Sequence, residues 1–463
     1  IAELHNETIP LISNFESLET EIIYKETMNE NNLINYLNTF NSNCSLLTDE
    51  YDCTSNQSCI WDMNNSCIGD SKYLLIIGDE SIINPPSTEN ICGFGNNQFS
   101  DDIFNEEFTI GRLIVNNLEE AINQTQKIIG YITNPTSGTW KNELLLIADD
   151  QNNPSNPNSL TEVNHTINTS NIYLKLENKL MIRTLYGEEF SEQANMTNSI
   201  INTINSGVGI INYIGHGTHQ SLAHELILKM DRDIDLINTN NKPPIWVVGT
   251  CSFGQYIDNI CMAEELMNKE DAAIAIISTT DGIPATGNNT YLNDFYDRMG
   301  DYINGDEYRL GDIFKKAKLQ FQNQCTPYKF QLFGDPALPL LISKETHDLA
   351  NIPNEIVIGD ANIVSINDQY DNSSYIRVIG PNISTSIQNT NYLKPGPILF
   401  ESSNFTEEIS FYTPIDAIYN NAKLFIINED NSNIDNNIIQ VEPTIPMNQN
   451  IDDNILMDNE GPE

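Results

Sequence analysis

Short apolar runs alternate with amphipathic segments through the first three quarters of the chain. The runs have the length of single strands and are rich in Ile, Leu and Val: KYLLIIGDE, NELLLIADD, GVGIINYIG, KPPIWVVG and DAAIAIIST. Between them, segments such as SEQANMTNSIINTINSG and CMAEELMNKE have the composition and spacing of amphipathic helices. Strands separated by helices predict an α/β fold in which a parallel sheet carries helices on both faces.

The pattern changes after residue 343. Between residues 355 and 443, short runs such as EIVIGD, SYIRVIG and AKLFIIN are separated by turn residues, with almost no helical period. This pattern predicts an all-β sandwich of immunoglobulin-like size. We therefore predict an N-terminal α/β subdomain (1–140), a catalytic α/β subdomain (141–343), the β-sandwich (355–443) and a polar linker (444–463) to a missing C-terminal part.

The start of the chain, its net charge and its apolar runs limit the classes of function that we expect for the protein. The chain begins at Ile1 without an initiator Met or a signal peptide, so we expect a fragment of a longer, exported protein. With 22 Lys and Arg against 65 Asp and Glu, the net charge of −43 argues against a nucleic-acid partner, because the phosphate backbone would be repelled. No apolar run approaches the roughly 20 residues of a membrane-spanning helix, so we expect none in this fragment.

A cysteine-rich insert interrupts the N-terminal subdomain at residues 44–67. Its four cysteines are Cys44, Cys53, Cys59 and Cys67. An even-numbered cluster in a polar stretch predicts disulfide bonds, with three alternative connectivities, and thus an oxidising compartment. The alternative is a zinc site, but the spacings are wider than those of the usual Cys-x2-4-Cys ligand pair.

Two apolar strands end at residues with catalytic chemistry. In GVGIINYIGHGTH the run stops at His216, between two glycines, and in KPPIWVVGTC it stops at Cys251. Because neighbouring parallel strands end at the same edge of a sheet, His216 and Cys251 are predicted to face each other. An imidazole beside a thiol favours the reactive thiolate, and the amides of Gly217 and Cys251 are placed to hold an oxyanion.

Both residues also have plainer interpretations. Cys251 alone is typical of a buried apolar thiol, or of a disulfide partner for Cys261. The segment GHGTHQSLAHE offers a set of metal ligands, namely His216, His219, His224 and Glu225. Their spacing differs from the His-Glu-x-x-His helix of metallopeptidases, so we expect no catalytic metal and no required cofactor.

Several segments, in order, resemble the gingipain family of cysteine peptidases. They are YLLIIGDE, NYIGHGTHQSLAHE, VVGTCSFGQYID, CMAEELM, AAIAIISTTDG and QLFGDPALPL, and the nearest likeness within the family is the PorU-type sortase of the bacterial type IX secretion system. The resemblance covers roughly residues 10 to 343. It implies a caspase-like α/β fold in two subdomains, followed by an immunoglobulin-like domain.

The resemblance also assigns roles at the site. It implies that Cys251 is the nucleophile, that His216 is the general base and acid, and that Gly217 and Cys251 donate to the oxyanion. The carboxylate that orients His216 matches Asp101 in SDD, with Asp102 as its alternative, and the strand-end position of Asp79 keeps a third candidate open. The implied protein is a secreted or outer-membrane enzyme that removes C-terminal targeting domains from cargo proteins, with protein substrates and other secretion components as partners.

Some questions stay open at this level. Asp281 stands where a basic residue is expected in the sortase type, and hydrolysis and transpeptidation would use the same residues. The Asp-rich loops IADDQNN and DRDID lack the pattern of a known calcium loop, so we interpret them as solvated turns and leave structural calcium open. The alternative function is an extracellular adhesin or secretion scaffold that keeps the peptidase fold without turnover.

Overall fold

In the computed structural model, the described residues are 30–40, 59–61, 67–69, 72–89, 99–105, 107–150, 164–321, 325–345, 350–366, 374–387, 390–405, 407–414, 420–428 and 438–449. Cys44, Cys53 and the end of the predicted linker lie outside these ranges. Within them, no helix combines the length and the apolar character that crossing a membrane requires.

Eight strands of the first 333 residues form one sheet. The strands in this part are β1 (Cys59–Trp61), β2 (Cys67–Gly69), β3 (Lys72–Ile77), β4 (Phe108–Leu113), β5 (Glu143–Ala148), β6 (Met181–Tyr186), β7 (Ile210–Ile214), β8 (Ser221–Leu222), β9 (Leu228–Lys229), β10 (Ile245–Gly249), β11 (Ala275–Thr279) and β12 (Phe330–Phe333). The pairs β1–β2 and β8–β9 stand apart from the sheet. Strands β5, β7, β10 and β11 are buried along their whole length, because both faces of the sheet are covered.

The order of the sheet is β3-β4-β12-β11-β10-β7-β5-β6. All neighbours are parallel except β11 and β12, which pair in antiparallel fashion. The strands β3, β4 and β12 therefore run opposite to the other five. One helix between two strands returns the chain to the edge where the first strand began. Between β11 and β12 the chain instead passes through two long helices and one helix of 4 residues, and it returns to the edge where β11 ends.

Helices cover the sheet in two layers. They are α1 (Glu30–Leu37), α2 (Leu118–Thr133), α3 (Asn164–Leu176), α4 (Gln193–Ser206), α5 (Met230–Asp233), α6 (Met262–Asn268), α7 (Ala285–Ile303), α8 (Leu310–Lys318) and α9 (Thr326–Lys329). Helix α7 packs against α3 and α8, and α2 packs against α6. The crossovers through α3 and α6 run in opposite directions across the sheet, so their right-handed sense places these two helices on opposite faces.

Helix α3 is not indicated by the hydrophobic pattern. Its sequence, NHTINTSNIYLKL, is rich in Asn and Thr, and its buried residues include His165, Thr166, Thr169 and Ser170. The buried face of this helix is thus partly polar, and no apolar stripe marks it in the sequence.

The last third of the described chain is all β. Its strands are β13 (Lys344–Glu345), β14 (Ala350–Asn351), β15 (Ile356–Ile358), β16 (Ala361–Ile366), β17 (Ser374–Ile379), β18 (Ile383–Ile387), β19 (Thr390–Lys394), β20 (Ile398–Phe405), β21 (Glu408–Tyr412), β22 (Asn421–Asn428) and β23 (Ile438–Gln449). Sheets β13-β23-β22-β17-β20 and β14-β16-β21 enclose a core that includes Ile376, Leu424 and Phe411. Strand β23 continues to Gln449, so residues 444–449 of the predicted linker belong to a strand.

The predicted fold class is confirmed. A large, mainly parallel sheet with helices is followed by an all-β domain, and the antiparallel pair β11–β12 is the one departure from the expected parallel order. The division at residue 140 stays a prediction, since β12 from the second predicted subdomain pairs with β4 of the first.

The β domain docks on the β6 side of the α/β sheet through charged and apolar contacts. Arg377 forms an ion pair with Glu143 at 2.8 Å, and both side chains are buried, with 6% and 1% of their surface exposed. Lys423 pairs with Glu177 at 2.7 Å, and Met181 packs among the β-domain side chains, including Phe425. The two parts are therefore joined by contacts that exclude water from a charge pair.

Replacing Arg377 tests this junction. The Arg377→Ala change leaves the Glu143 carboxylate buried, so we expect the free energy of unfolding to fall by about 3–5 kcal/mol. Arg183 contacts the same carboxylate at 3.1 Å but is 39% exposed, which makes Arg183→Ala the matched control, with an expected loss below about 1 kcal/mol. The measurement is the urea dependence of tyrosine and tryptophan fluorescence, and equal losses for both variants would contradict the assignment.

Candidate active site

The register of two central strands places His216 and Cys251 at equivalent positions on one edge of the sheet. Strands β7 and β10 are parallel, with Ile210 opposite Ile245 and Ile214 opposite Gly249, an offset of 245 − 210 = 35 residues. The offset between the predicted catalytic residues is the same, 251 − 216 = 35. Each therefore follows its strand by two residues, at the same edge of the sheet. We call this edge, where β5, β6, β7, β10 and β11 end, the carboxyl edge.

Both glycines beside His216 lie where a side chain would not fit. A Cβ at Gly215 would lie 2.3 Å from the Cβ of Asp149, and a Cβ at Gly217 would lie 2.6 Å from the Thr250 Oγ1. The loop that carries His216 is thus packed between the end of β5 and the residue before Cys251. This close approach explains why the apolar run ends in Gly-His-Gly.

Hydrogen bonds fix the backbone of His216. Its amide donates to the Asp149 Oδ2 at 2.9 Å, and its carbonyl accepts from the Tyr213 Oη at 2.6 Å and from the Ala223 amide at 2.8 Å. Asp149, which follows β5 directly, therefore anchors the loop that presents the imidazole.

Two other histidine rings lie beside His216. The His165 ring, on α3, stands perpendicular to it with centroids 5.7 Å apart, and the His224 ring lies 4.4 Å away. Burial and the neighbouring His216 lower the pKa of His165 to about 4, so His165 is neutral near pH 7. No sequence pattern indicates a role for His165, because it lies on a helix without an apolar stripe.

Cys251 is a free, half-buried thiol at a tight turn. The Ile283 amide donates to its Sγ at 3.4 Å, and the thiol donates to the Ile283 carbonyl at 3.8 Å. The next residue, Ser252, has a left-handed backbone with φ of 56° and donates its amide to the Asp281 carbonyl at 3.3 Å. Such a conformation is strained for a residue with a side chain, and strain of this kind is concentrated at functional sites.

The amides predicted to bind an oxyanion are available. Within the described residues, neither the Gly217 amide nor the Cys251 amide donates a hydrogen bond to the protein. Both lie on the two loops that meet at the Thr250 contact, so their proximity follows from the strand register.

The structure excludes one of the alternatives for Cys251. Cys251 and Cys261 are both free, so they do not form a disulfide bond. Cys261 is fully buried, and its burial raises the pKa of this thiol to about 12. Cys325, in contrast, is in a disulfide bond, although no pattern in the sequence around it indicates one.

The histidine-based metal set does not form among the described residues. The His219 carbonyl accepts from the Met262 amide, and His224 is exposed. In this part of the chain, the acidic, His and Cys side chains close enough to share one ion are Asp149, Asp150 and Glu225. Glu225 of the predicted set thus belongs with the two aspartates rather than with the histidines.

The three candidate orienting carboxylates are engaged elsewhere. Both carboxylate oxygens of Asp101 bind Arg112, at 2.5 and 2.8 Å, in an ion pair that is almost fully buried. Asp102 pairs with Lys318 at 2.5 Å. Asp79 follows β3, which ends at the edge opposite the carboxyl edge, and its Oδ1 accepts hydrogen bonds from residues 81 and 82. None of the described contacts of these carboxylates is with His216.

Comparison with known proteins identifies the family to which the chain belongs. The sequence model of peptidase family C25 matches residues 34–341. The chain belongs to peptidase family C25. It is therefore a cysteine-type peptidase by family, and the His216 and Cys251 loops lie within the matched region.

Similar proteins support the same assignment. Gingipain R1 of Porphyromonas gingivalis is 25% identical over 337 residues, which cover 68% of this chain and 32% of that protein. Gingipain R2 of the same organism is 27% identical over 223 residues, which cover 46% and 29%. The chain thus spans about a third of the length of these two relatives. The crystal structure of the Arg-specific cysteine proteinase gingipain R shares the fold, with a TM-score of 0.57 at 16% identity over 96% of both chains.

The contact between Gly217 and Thr250 provides a test of the C25 site geometry. The added Cβ of Gly217→Ala would displace the His216 loop, so we expect the alkylation rate of Cys251 to fall about tenfold or more. Gly282→Ala is the matched control, because a Cβ at Gly282, also near the thiol, meets nothing within 4 Å. The measurement is the rate of iodoacetamide labelling at Cys251, and a wild-type rate in Gly217→Ala would show that the loop does not depend on this contact.

Proposed function

We propose that this C25 peptidase cleaves peptide bonds through Cys251 and His216. The Cys251 sulfur attacks the carbonyl carbon of the scissile bond, while His216 takes the thiol proton and passes it to the leaving amine. The amides of Gly217 and Cys251 hold the oxyanion, and an acyl-enzyme remains. Water or a second amine then releases the acyl group. The observation that carries the proposal is the shared register of His216 and Cys251 at the carboxyl edge.

The thiol also has the environment that this role needs. Its Sγ accepts a hydrogen bond from the Ile283 amide, and the side chain is half-buried. Cys261, the second free thiol among the described residues, is buried in the core. A buried thiol with a raised pKa is a poor nucleophile at neutral pH. Cys251 is therefore the better nucleophile of the two.

We propose protein substrates, and specifically the C-terminal targeting domains of type IX secretion cargo, for a secreted or cell-surface enzyme. The resemblance to the sortase type supports this substrate, and the disulfide bond at Cys325 supports an oxidising compartment. Asp281 departs from the sortase type. Its side chain is 47% exposed and lies 3.6 Å from Lys329, and its carbonyl accepts the Ser252 amide beside the thiol.

Selective alkylation tests the nucleophile. We expect iodoacetamide to label Cys251 rapidly and Cys261 at least about 100-fold more slowly, because only a thiolate reacts and burial raises the pKa of Cys261 to about 12. The His216→Ala variant is expected to lose most of the Cys251 rate and to leave Cys261 unchanged. Mass spectrometry of tryptic peptides measures both sites. A slow Cys251, or one indifferent to His216, would favour the non-catalytic scaffold.

A reporter joined to a type IX targeting domain tests the substrate. We expect the wild-type enzyme to cut at the junction and Cys251→Ala to leave the fusion intact. The mass of the released reporter separates a new carboxylate, formed by hydrolysis, from an adduct with an added amine, formed by transfer. Equal cleavage of a reporter with an unrelated C-terminal domain would contradict the targeting role and leave a general endopeptidase.

A further inference from the structure

The loop that follows β11 contacts the turn that carries the thiol. We call residues 280–283 the β11 loop. The Ile283 amide donates to the Cys251 Sγ at 3.4 Å, and the Ile283 carbonyl accepts from the thiol at 3.8 Å. The Asp281 carbonyl accepts a hydrogen bond from the Ser252 amide at 3.3 Å. The position of the thiol therefore depends on the position of the β11 loop.

The turn at Cys251 has a conformation that needs support from its surroundings. Ser252 has a left-handed backbone, with a φ of 56°. A residue with a side chain keeps such a conformation only where other contacts hold it. The hydrogen bond from the Ser252 amide to the Asp281 carbonyl is one of these contacts. Displacement of the β11 loop would thus allow the turn to relax and would move Cys251.

A lysine from a distant part of the chain holds the β11 loop. The Lys329 Nζ donates to the Gly282 carbonyl and lies 3.6 Å from the Asp281 carboxylate. The Lys329 carbonyl accepts a hydrogen bond from the Thr280 amide at 2.9 Å. Lys329 therefore contacts three consecutive residues of the β11 loop, one through its backbone and two through its ammonium group.

The antiparallel pairing of β11 with β12 brings Lys329 to this place. Phe330, the first residue of β12, lies opposite Thr279, the last residue of β11. Because the two strands are antiparallel, β12 begins at the carboxyl edge, where β11 ends. In a parallel pair, the residue before β12 would lie at the opposite edge. The reversed direction of β12 thus places Lys329 beside a residue that precedes it by 329 − 281 = 48 positions.

Lys329 is itself held in place. It is the last residue of α9, and Cys325, directly before this helix, is in a disulfide bond. Helix α9 also packs closely against the start of α7, since a Cβ at Gly287 would lie 2.8 Å from the Thr326 Cγ2. The Lys329 side chain is 15% exposed. A covalent bond and close packing therefore support the residue that holds the β11 loop.

We infer that Lys329 is a positioning residue for Cys251. It holds the β11 loop, and the β11 loop holds the turn that presents the thiol. None of the described hydrogen bonds or ion pairs of Lys329 involves Cys251, so its effect on the thiol is indirect. The inference rests on the proposed function, in which Cys251 is the nucleophile.

Removal of the amino group tests this role. Lys329→Met keeps an apolar side chain but loses the donor and the charge, so we expect iodoacetamide labelling of Cys251 near pH 7 to slow about tenfold. The pH at which labelling is half-maximal is expected to rise towards the ordinary cysteine pKa of about 8.5, because the displaced thiol lies farther from His216. Lys329→Arg keeps the charge and the donors, and its labelling rate is expected to stay within about threefold of wild type.

The matched control is Lys179→Met. Lys179 is 20% exposed and pairs with Glu345 at the same distance of 3.6 Å, but it contacts neither the β11 loop nor the Cys251 turn in any described hydrogen bond or ion pair. We expect the two Met variants to show similar urea midpoints, and the control to label Cys251 at the wild-type rate. Labelling of the buried Cys261 is expected to stay slow in both, which shows that the fold remains closed.

The outcomes separate this inference from the proposed function. Slow labelling of wild-type Cys251, or labelling that does not depend on His216, would remove the nucleophile and this inference with it. If wild-type labelling is fast and depends on His216, but Lys329→Met keeps the wild-type rate and pH dependence, the proposed function stands and the positioning role is wrong. An equal loss in Lys179→Met, or faster labelling of Cys261 in Lys329→Met, would indicate general loosening and would also overturn it.

Discussion

The parallel pairing of β7 with β10 is the constraint on which the candidate site depends. Its register places the third residue of Gly-Thr-Cys opposite the histidine of Gly-His-Gly, and the close approach of Gly217 to Thr250 holds the two loops together. A slip of one residue would turn the inner side chains of both strands to the other face. The buried, apolar character of β7 and β10 therefore contributes to the position of the thiol and the imidazole as well as to stability.

The antiparallel contact between β11 and β12 divides the strand ends between two edges. Chemistry-bearing residues after β5, β6, β7, β10 and β11 collect at one edge, whereas the ends of β3 and β4 lie at the other. Arg112 on β4 forms a buried ion pair with Asp101 and also donates hydrogen bonds to the carbonyls of Gly78 and Ile83. That ion pair connects the N-terminal strands. Asp101 thus binds an arginine, although the resemblance made it a candidate catalytic residue.

Negative charge is concentrated where the His216 loop is anchored. Asp149 holds the backbone of His216, and its neighbours Asp150, Glu188 and Glu225 share little compensating charge within the described residues. In a chain with a net charge of −43, these carboxylates differ from those on the open surface, because Asp149 is buried and Glu188 and Glu225 are half-buried, so water screens them less.

The sequence by itself determined the strands, the two loops and the chemistry that they carry. Apolar runs such as IINYI and IWVVG indicate buried strands, and the glycine, histidine and cysteine at their ends indicate the candidate site. Both patterns are visible in the sequence because they involve residues that are adjacent in the chain. The direction of β12, the helix α3 and the partners of Asp101 and Asp149 were decided only by the tertiary structure. Helix α3 buries polar residues that give no apolar period, and Asp101 could be assigned to Arg112 only once the packing had brought the two together. The sequence does not show whether an aspartate contacts a histidine or an arginine, because its partner depends on the tertiary structure.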